Sequence, residues 1–335
     1  MQKSVSFKKV VLVPGYQCNN RCVFCINYDK REIKPRSPFE LRLEIKAAAA
    51  RGCDYLEFAG GENTITPDFC GLVRYARAAG FKRVAVATNG RLFSYPGFAA
   101  AAVDSGLSEI IFSIHGPDAA VHDGLTRVKG SFRQLLKGME NIRKSFKGII
   151  ATNTAVTRLN YRCLPETGKF IAGLGLFNAE FIYADPTYGG VKKNFKELMP
   201  RISQCAPYMR ACLEIAAPRL AGVKNPLASC NWSARYVPLC YFSDYYPLQV
   251  SEARERLVYS NVQHVAPDYV NMDYIKGRAE LARAKPPKCR GCALYGNCEG
   301  IWKEYLRIYG AGELKPVAGD RGPVAGDRGP VTSDQ

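Results

Sequence analysis

With 335 residues, 47% of them apolar and 11% aromatic, the chain is long enough for one large α/β domain and a smaller companion. No stretch approaches the roughly 18 apolar residues of a membrane span, and Met1 leads into only a short apolar run, so a cytoplasmic chain without a secretory signal is expected. The formal charge of +17 is spread as +10 over residues 1–185 and +7 over residues 186–335, with no polybasic arm; this argues for a generally basic surface and against a dedicated nucleic-acid face.

The first predicted strand is the apolar run at 10–13. Cys18, Cys22 and Cys25 follow it closely, so three thiolates can converge on one metal centre from a single loop. A helix over 41–50 is announced by Ser37-Pro38-Phe39-Glu40, a cap followed by Pro at the first helical position. The alternating run 55–59 reads as a second strand and ends in Gly60-Gly61-Glu62. Further helices are predicted from 66 to 79, around 99–104, over 131–144 and over 164–174. Strands alternate with them at 83–87, 109–114, 149–156 and 181–184. Six strand–helix alternations over residues 8–185 predict parallel β/α units closed into a partial (β/α)6, TIM-like barrel. Such folds bind ligands at the carboxyl ends of the strands, where the cysteine loop, Gly60-Gly61-Glu62, Asn89, Ser113 and Asn153 all fall.

Residues 186–229 read as a linking segment, with a loop containing Gly189-Gly190 and a helix over 199–220 interrupted by Pro. A small carboxy-terminal cluster-binding domain is expected over 230–315. It holds Cys230, Cys240, a Tyr-rich piece at 241–246 and the spacing Cys289-x2-Cys292-x5-Cys298. The tail 316–335 repeats a seven-residue Pro/Gly/Asp/Arg unit and is expected to be disordered. Thirteen cysteines in a chain read as cytosolic point to metal or redox chemistry rather than disulfides. Those outside the two clusters are expected to be mostly buried small hydrophobes.

The amino-terminal loop alone also suits structural zinc or redox thiols, but zinc wants a fourth ligand and no His or Cys follows until Cys53. Three thiolates with one coordination site open suit a cubane iron–sulfur cluster. The Cys-x3-Cys-x2-Cys spacing, with Phe24 just before the third Cys, resembles the signature of radical S-adenosylmethionine (SAM) enzymes. That resemblance implies a [4Fe-4S] cluster on Cys18, Cys22 and Cys25 whose open iron holds SAM. It also implies reductive cleavage to a 5′-deoxyadenosyl radical and an electron donor of the flavodoxin or ferredoxin kind. Gly60-Gly61-Glu62 resembles the family's Gly-Gly-Glu motif around the SAM amino group, with Asn63 where Pro is usual. By the same likeness Ser113 contacts the ribose, Arg127 the carboxylate, and Asn153 lines the SAM pocket. His115 and His122 are expected to be structural. The cluster Cys289, Cys292 and Cys298 resembles the central run of SPASM and twitch modules, which carry auxiliary iron–sulfur clusters. Trp302 stands where the full SPASM pattern has a further Cys, so one auxiliary [4Fe-4S] cluster is expected, with Cys240, or failing that Cys230, as fourth ligand. The implied function is hydrogen abstraction from a substrate, either a ribosomally made peptide or a small molecule in cofactor biosynthesis. Cys18 lies too near Met1 for the amino-terminal peptide-binding domain of many peptide maturases. The reading from another class is a non-enzymatic zinc- or nucleic-acid-binding protein.

Overall fold

The computed structural model describes residues 6–220 and 231–319. Its frame is a nine-stranded sheet in the order β7-β6-β5-β4-β3-β2-β1-β8-β9, parallel throughout except for β9. The strands are β1 (Phe7–Leu12), β2 (Tyr55–Phe58), β3 (Arg83–Thr88), β4 (Glu109–Ser113), β5 (Ile149–Val156), β6 (Asn178–Tyr183), β7 (Asn231–Arg235), β8 (Tyr259–Val265) and the short β9 (Val270–Asn271). The six strands expected from the sequence are all present. β7 and β8, from the stretch expected to form a separate module, extend the same sheet on its two sides. Their sequences alternate weakly and follow no clear β/α rhythm, which is why the pattern stopped at six.

Helices α1 (Pro38–Ala50), α2 (Phe69–Ala78), α3 (Pro96–Asp104), α5 (Ser131–Arg143) and α6 (Leu164–Gly173) cover the outer face, with α4 (Ala119–Thr126) inserted after β4. The Ser37/Glu40 capping box starts α1 as its sequence announced: the Ser37 hydroxyl accepts the Glu40 N–H, and Glu40 accepts the Ser37 N–H at 2.7 Å. Alternation sorts each strand's side chains. In β4, Ile110 and Phe112 are fully buried under the helices, while Glu109, Ile111 and Ser113 take the inner face. The floor of that inner face is polar. Lys9 pairs with Glu57 at 2.5 Å and sits over the rings of Tyr55 and Tyr259, and the Tyr55 hydroxyl donates to Glu109.

Beyond β6 come α7 (Gly189–Lys193), α8 (Phe195–Leu198) and the long α9 (Ile202–Leu220), continuous across Pro207 and Pro218. Then α10 (Ser251–Val258) precedes β8, and α11 (Tyr274–Ala282) leads to the two-stranded pairing of β10 (Arg283–Ala284) with β11 (Ile301–Trp302), followed by α12 (Lys303–Tyr309). No helix among the described residues is long and apolar enough to cross a membrane.

Candidate active site

The cysteine loop leaves β1 and is held from three sides by backbone hydrogen bonds. Gly61 N–H donates to the Gly15 carbonyl at 3.0 Å and Glu62 N–H to that of Gln17 at 2.8 Å. A Cβ on Gly61 would lie 2.2 Å from the Gln17 carbonyl oxygen, so only glycine lets the two segments meet. From the second side, the end of α4 accepts the N–H groups of Arg21 and Val23 on its Thr126 and Leu125 carbonyls at 2.9 and 3.0 Å. From the third, Gly190 N–H donates to the Cys25 carbonyl at 2.9 Å, and a Cβ there would lie 2.0 Å from the Val23 carbonyl. The Gly189-Gly190 pair was legible only as a loop; its close approach to the cysteine loop was not.

The three thiols face one another closely enough to interact. Burial pushes the Cys18 thiol up to about 11, with Glu62 and Cys25 adding to it and the hydrogen bond from Asn20 and the charge of Arg31 opposing it. Burial and then Cys25 and Cys18 push Cys22 up as well. All three are free thiols, and the Asn20 N–H donates to the Cys18 sulfur at 3.3 Å. Neutral neighbouring thiols of this kind are stabilised as thiolates once a cationic centre joins them, so the donor set fits the cluster that its spacing implies.

Glu62 is buried, at 3% exposure, and its carboxylate is fully engaged. One oxygen accepts from the Thr64 N–H and hydroxyl and the Thr88 hydroxyl (2.6–3.1 Å); the other accepts the Asn89 N–H at 2.7 Å. Asn89 in turn donates to the Asn19 side chain at 2.6 Å, which carries the network into the cysteine loop. Burial raises the Glu62 carboxyl, and the hydrogen bonds from Thr64, Asn89 and Thr88 oppose it.

Ser113 and Asn153 are direct partners across β4 and β5, both half-buried on the inner face, Ser113 at the end of β4 and Asn153 within β5. Arg127 caps α4 with φ +56°, one residue beyond the carbonyl that holds Arg21; its N–H donates to the Asp123 carbonyl at 2.8 Å and the residue is exposed. Phe24 packs edge-on against His115, ring centroids 4.7 Å apart. The two histidines are buried and stacked: His122 Nδ1 accepts the His115 N–H at 3.2 Å, and His115 Nδ1 accepts the Ala155 N–H at 3.3 Å. Burial holds His122 down at about 4 and His115 well below its usual value. Both therefore stay neutral and satisfied within the fold.

The second cysteine set gathers around one pocket. Cys240, from the turn after β7, lines it together with Cys289, Cys292 and Cys298, and Pro238, Lys285, Leu314 and Pro316 close its sides. Burial pushes the Cys240 thiol up to about 11, an H-bond from Lys315 opposes this, and Cys298, Cys289 and Cys292 add to it. Backbone N–H groups reach these sulfurs: Gly300 and Leu239 donate to Cys298 at 3.2 and 3.4 Å, and Val317 to Cys292 at 3.3 Å. Val317 belongs to the segment expected to begin the tail, so the chain reaches the second site before residues 320–335, which lie outside the described residues with Cys230. Among the described residues no three His, Cys, Asp or Glu side chains converge tightly enough for a single ion.

A parallel barrel with a three-cysteine loop at its strand ends defines the class. Residues 12–171 match the family described as Radical SAM superfamily. Among curated proteins it is similar to the AdoMet-dependent heme synthase of Methanosarcina barkeri, at 29% identity over 175 residues covering 52% of this chain and 49% of that protein. It is also similar to the mycofactocin maturase MftC of Mycolicibacterium smegmatis, at 31% identity over 161 residues covering 48% and 40% respectively. The chain thus spans less than half the length of these relatives. Among solved structures, SuiB of Streptococcus suis bound to precursor peptide SuiA shares the fold, with TM-score 0.63 at 14% identity, covering 94% of this chain and 75% of that one. That likeness extends through the carboxy-terminal region beyond the family match.

Proposed function

We propose that this protein binds a [4Fe-4S] cluster through Cys18, Cys22 and Cys25 and uses it to cleave SAM reductively and abstract hydrogen from a substrate. The observation that carries this reading is the convergence of the three-thiol loop with Gly60-Gly61-Glu62 at the strand ends. The cluster and SAM supply the radical chemistry; the chain holds them. Glu62 fixes Asn89 and the loop, the backbone of Gly60 and Gly61 faces the SAM amino group, Arg127 reaches the carboxylate, and Ser113, Asn153 and Phe24 line the pocket. Cys240, Cys289, Cys292 and Cys298 hold a second, auxiliary [4Fe-4S] cluster, a reading supported by their common pocket. The substrate is a polypeptide. Support comes from the maturase MftC among the relatives and from the fold shared with SuiB, whose structure was solved with its precursor peptide. A small-molecule substrate is the second reading, favoured by the heme synthase similarity.

The test is anaerobic reconstitution followed by measurement of iron, sulfide and 5′-deoxyadenosine formed on reduction with dithionite. Changing Cys18, Cys22 and Cys25 together to Ala is expected to abolish 5′-deoxyadenosine. Its persistence in that variant would refute the assignment.

A further inference from the structure

One cation acts on the thiols of the first site and has no carboxylate of its own. After Cys25 the chain turns through residues 28–30 and returns along the loop it has just made. There the Arg36 N–H donates to the Pro14 carbonyl at 2.9 Å, and the Gln17 side-chain amide donates to the Arg31 and Ile33 carbonyls at 3.0 Å each. The backbone of Arg31 is thereby fixed beside Gln17, the residue before Cys18. The cations on either side of it find acids: Lys30 pairs with Asp268 at 2.7 Å and Arg36 with Glu44 at 3.2 Å. No ion pair engages Arg31 among the described residues, and its Nε is buried without a hydrogen-bond partner. An N–H buried without an acceptor is costly, and native folds keep one where an ion or group completes the site. The charge of Arg31 opposes the burial that pushes the Cys18 and Cys22 thiols up, so the guanidinium is within electrostatic reach of both sulfurs. Glu62, the carboxylate that also acts on Cys18, already holds four donors.

We infer that Arg31 is the counter-charge of the first cluster: its Nε donates to a sulfur on the Cys18 and Cys22 side, and its charge raises the potential at which the cluster accepts an electron. The inference rests on the radical SAM reading above. Three thiolates and a cubane carry net negative charge, and the electron that takes the cluster from the 2+ to the 1+ state adds one more. A half-buried guanidinium beside the sulfurs therefore stabilises the reduced form more than the oxidised one. Net charge and hydrogen bonds to the sulfurs are two of the settings of such potentials. Arg31 stays protonated in both states, so the step moves one electron from reductant to cluster and no proton.

The experiment is a redox titration of the anaerobically reconstituted protein, followed by electron paramagnetic resonance, with iron and sulfide counted in each sample. The signal of the first cluster is identified as the one that changes on adding SAM, and its midpoint is then measured without SAM. Wild type is compared with Arg31→Gln, Arg31→Lys and the control Arg21→Gln, which removes an exposed charge next to Cys22. In Arg31→Gln the equilibrium constant for one-electron reduction is expected to fall roughly tenfold, a shift of about 59 mV to lower potential. Arg31→Lys keeps the charge without the Nε donor and is expected to fall between the two. Arg21→Gln is expected to match wild type, because solvent screens its charge. A wild-type potential in loaded Arg31→Gln, or an equal shift in Arg21→Gln, overturns the role of Arg31 alone. Should Arg31→Gln fail to take up its irons, Arg31→Lys decides: a lowered potential supports the role, and a wild-type potential overturns it. A wild type without a SAM-responsive [4Fe-4S] signal overturns the radical SAM reading, and the inference with it.

Discussion

Glu62 shows how a motif residue can serve the fold and the ligand together. Its carboxylate collects four donors within a buried knot that ends on the cysteine loop. In Glu62→Gln one acceptor oxygen becomes a donor facing other donors. Unfolding in urea, before any ligand is added, is expected to show a loss of about 1–3 kcal/mol, the scale for an unsatisfied buried group. Isothermal titration is expected to show SAM weakened by about 1.5–3 kcal/mol, with Arg127→Ala weakened similarly through loss of a charge-assisted contact. Full SAM affinity in Glu62→Gln alongside lost stability would confine Glu62 to loop support. The histidines make a second prediction. Because His122 titrates at about 4 when folded and near 6.5 when unfolded, the unfolded chain binds the extra proton between those values. Stability is therefore lost as pH falls from about 6.5 to about 4, by about 3 kcal/mol from this group, and His122→Asn is expected to flatten that slope in pH-dependent unfolding. At this scale much was legible: cysteine spacing and the Gly-Gly-Glu tripeptide are local signals. The partners of Glu62 were not, since Thr88 and Asn89 lie 26 and 27 positions away on another strand end.

Among elements, the strands and helices from 10 to 174 were readable because β/α alternation writes one period after another into the sequence. The short α4 and α7, which clamp the cysteine loop, carry no amphipathic period long enough to see. The carboxy-terminal region was harder still, because buried ion pairs rather than apolar stripes join its elements. Arg278 on α11, 5% exposed, donates to Glu255 on α10 at 2.9 Å and to Glu299, next to Cys298, at 2.8 and 3.1 Å. Glu255 continues to Arg235 at the end of β7, which pairs with Glu180 on β6 at 2.8 Å. The chain of charges thus runs from the second cysteine site to the barrel wall. Arg278→Ala would leave Glu255 only Arg235 and Glu299 only Arg256 as ion-pair partners, and a loss of about 1–3 kcal/mol is expected in chemical unfolding. Arg278→Met with Glu299→Gln is expected to recover part of it, by leaving fewer charges unpaired.

At the scale of the whole molecule, the two cysteine sites belong to one fold but need not share a task. Changing Cys289, Cys292 and Cys298 to Ala is expected to remove about four irons, one cubane's worth, while SAM cleavage without substrate survives. A wild type holding stoichiometric zinc beside a single cubane, read by metal analysis and Mössbauer spectroscopy, would end the auxiliary-cluster reading. The sheet order has a different consequence. β1 is the first strand made, yet it lies between β2 and β8, and its second edge is filled only by residues some 250 positions later. While the chain emerges from the ribosome, the strand that bears the cysteine loop waits with one row of amides and carbonyls open. A fragment stopped after α6 would contain every cysteine of the first site and the whole family match, but it would present that open edge to its neighbours, and self-association is expected. The strand that leads into the cysteine loop thus gains its second neighbour only when β8 has been made.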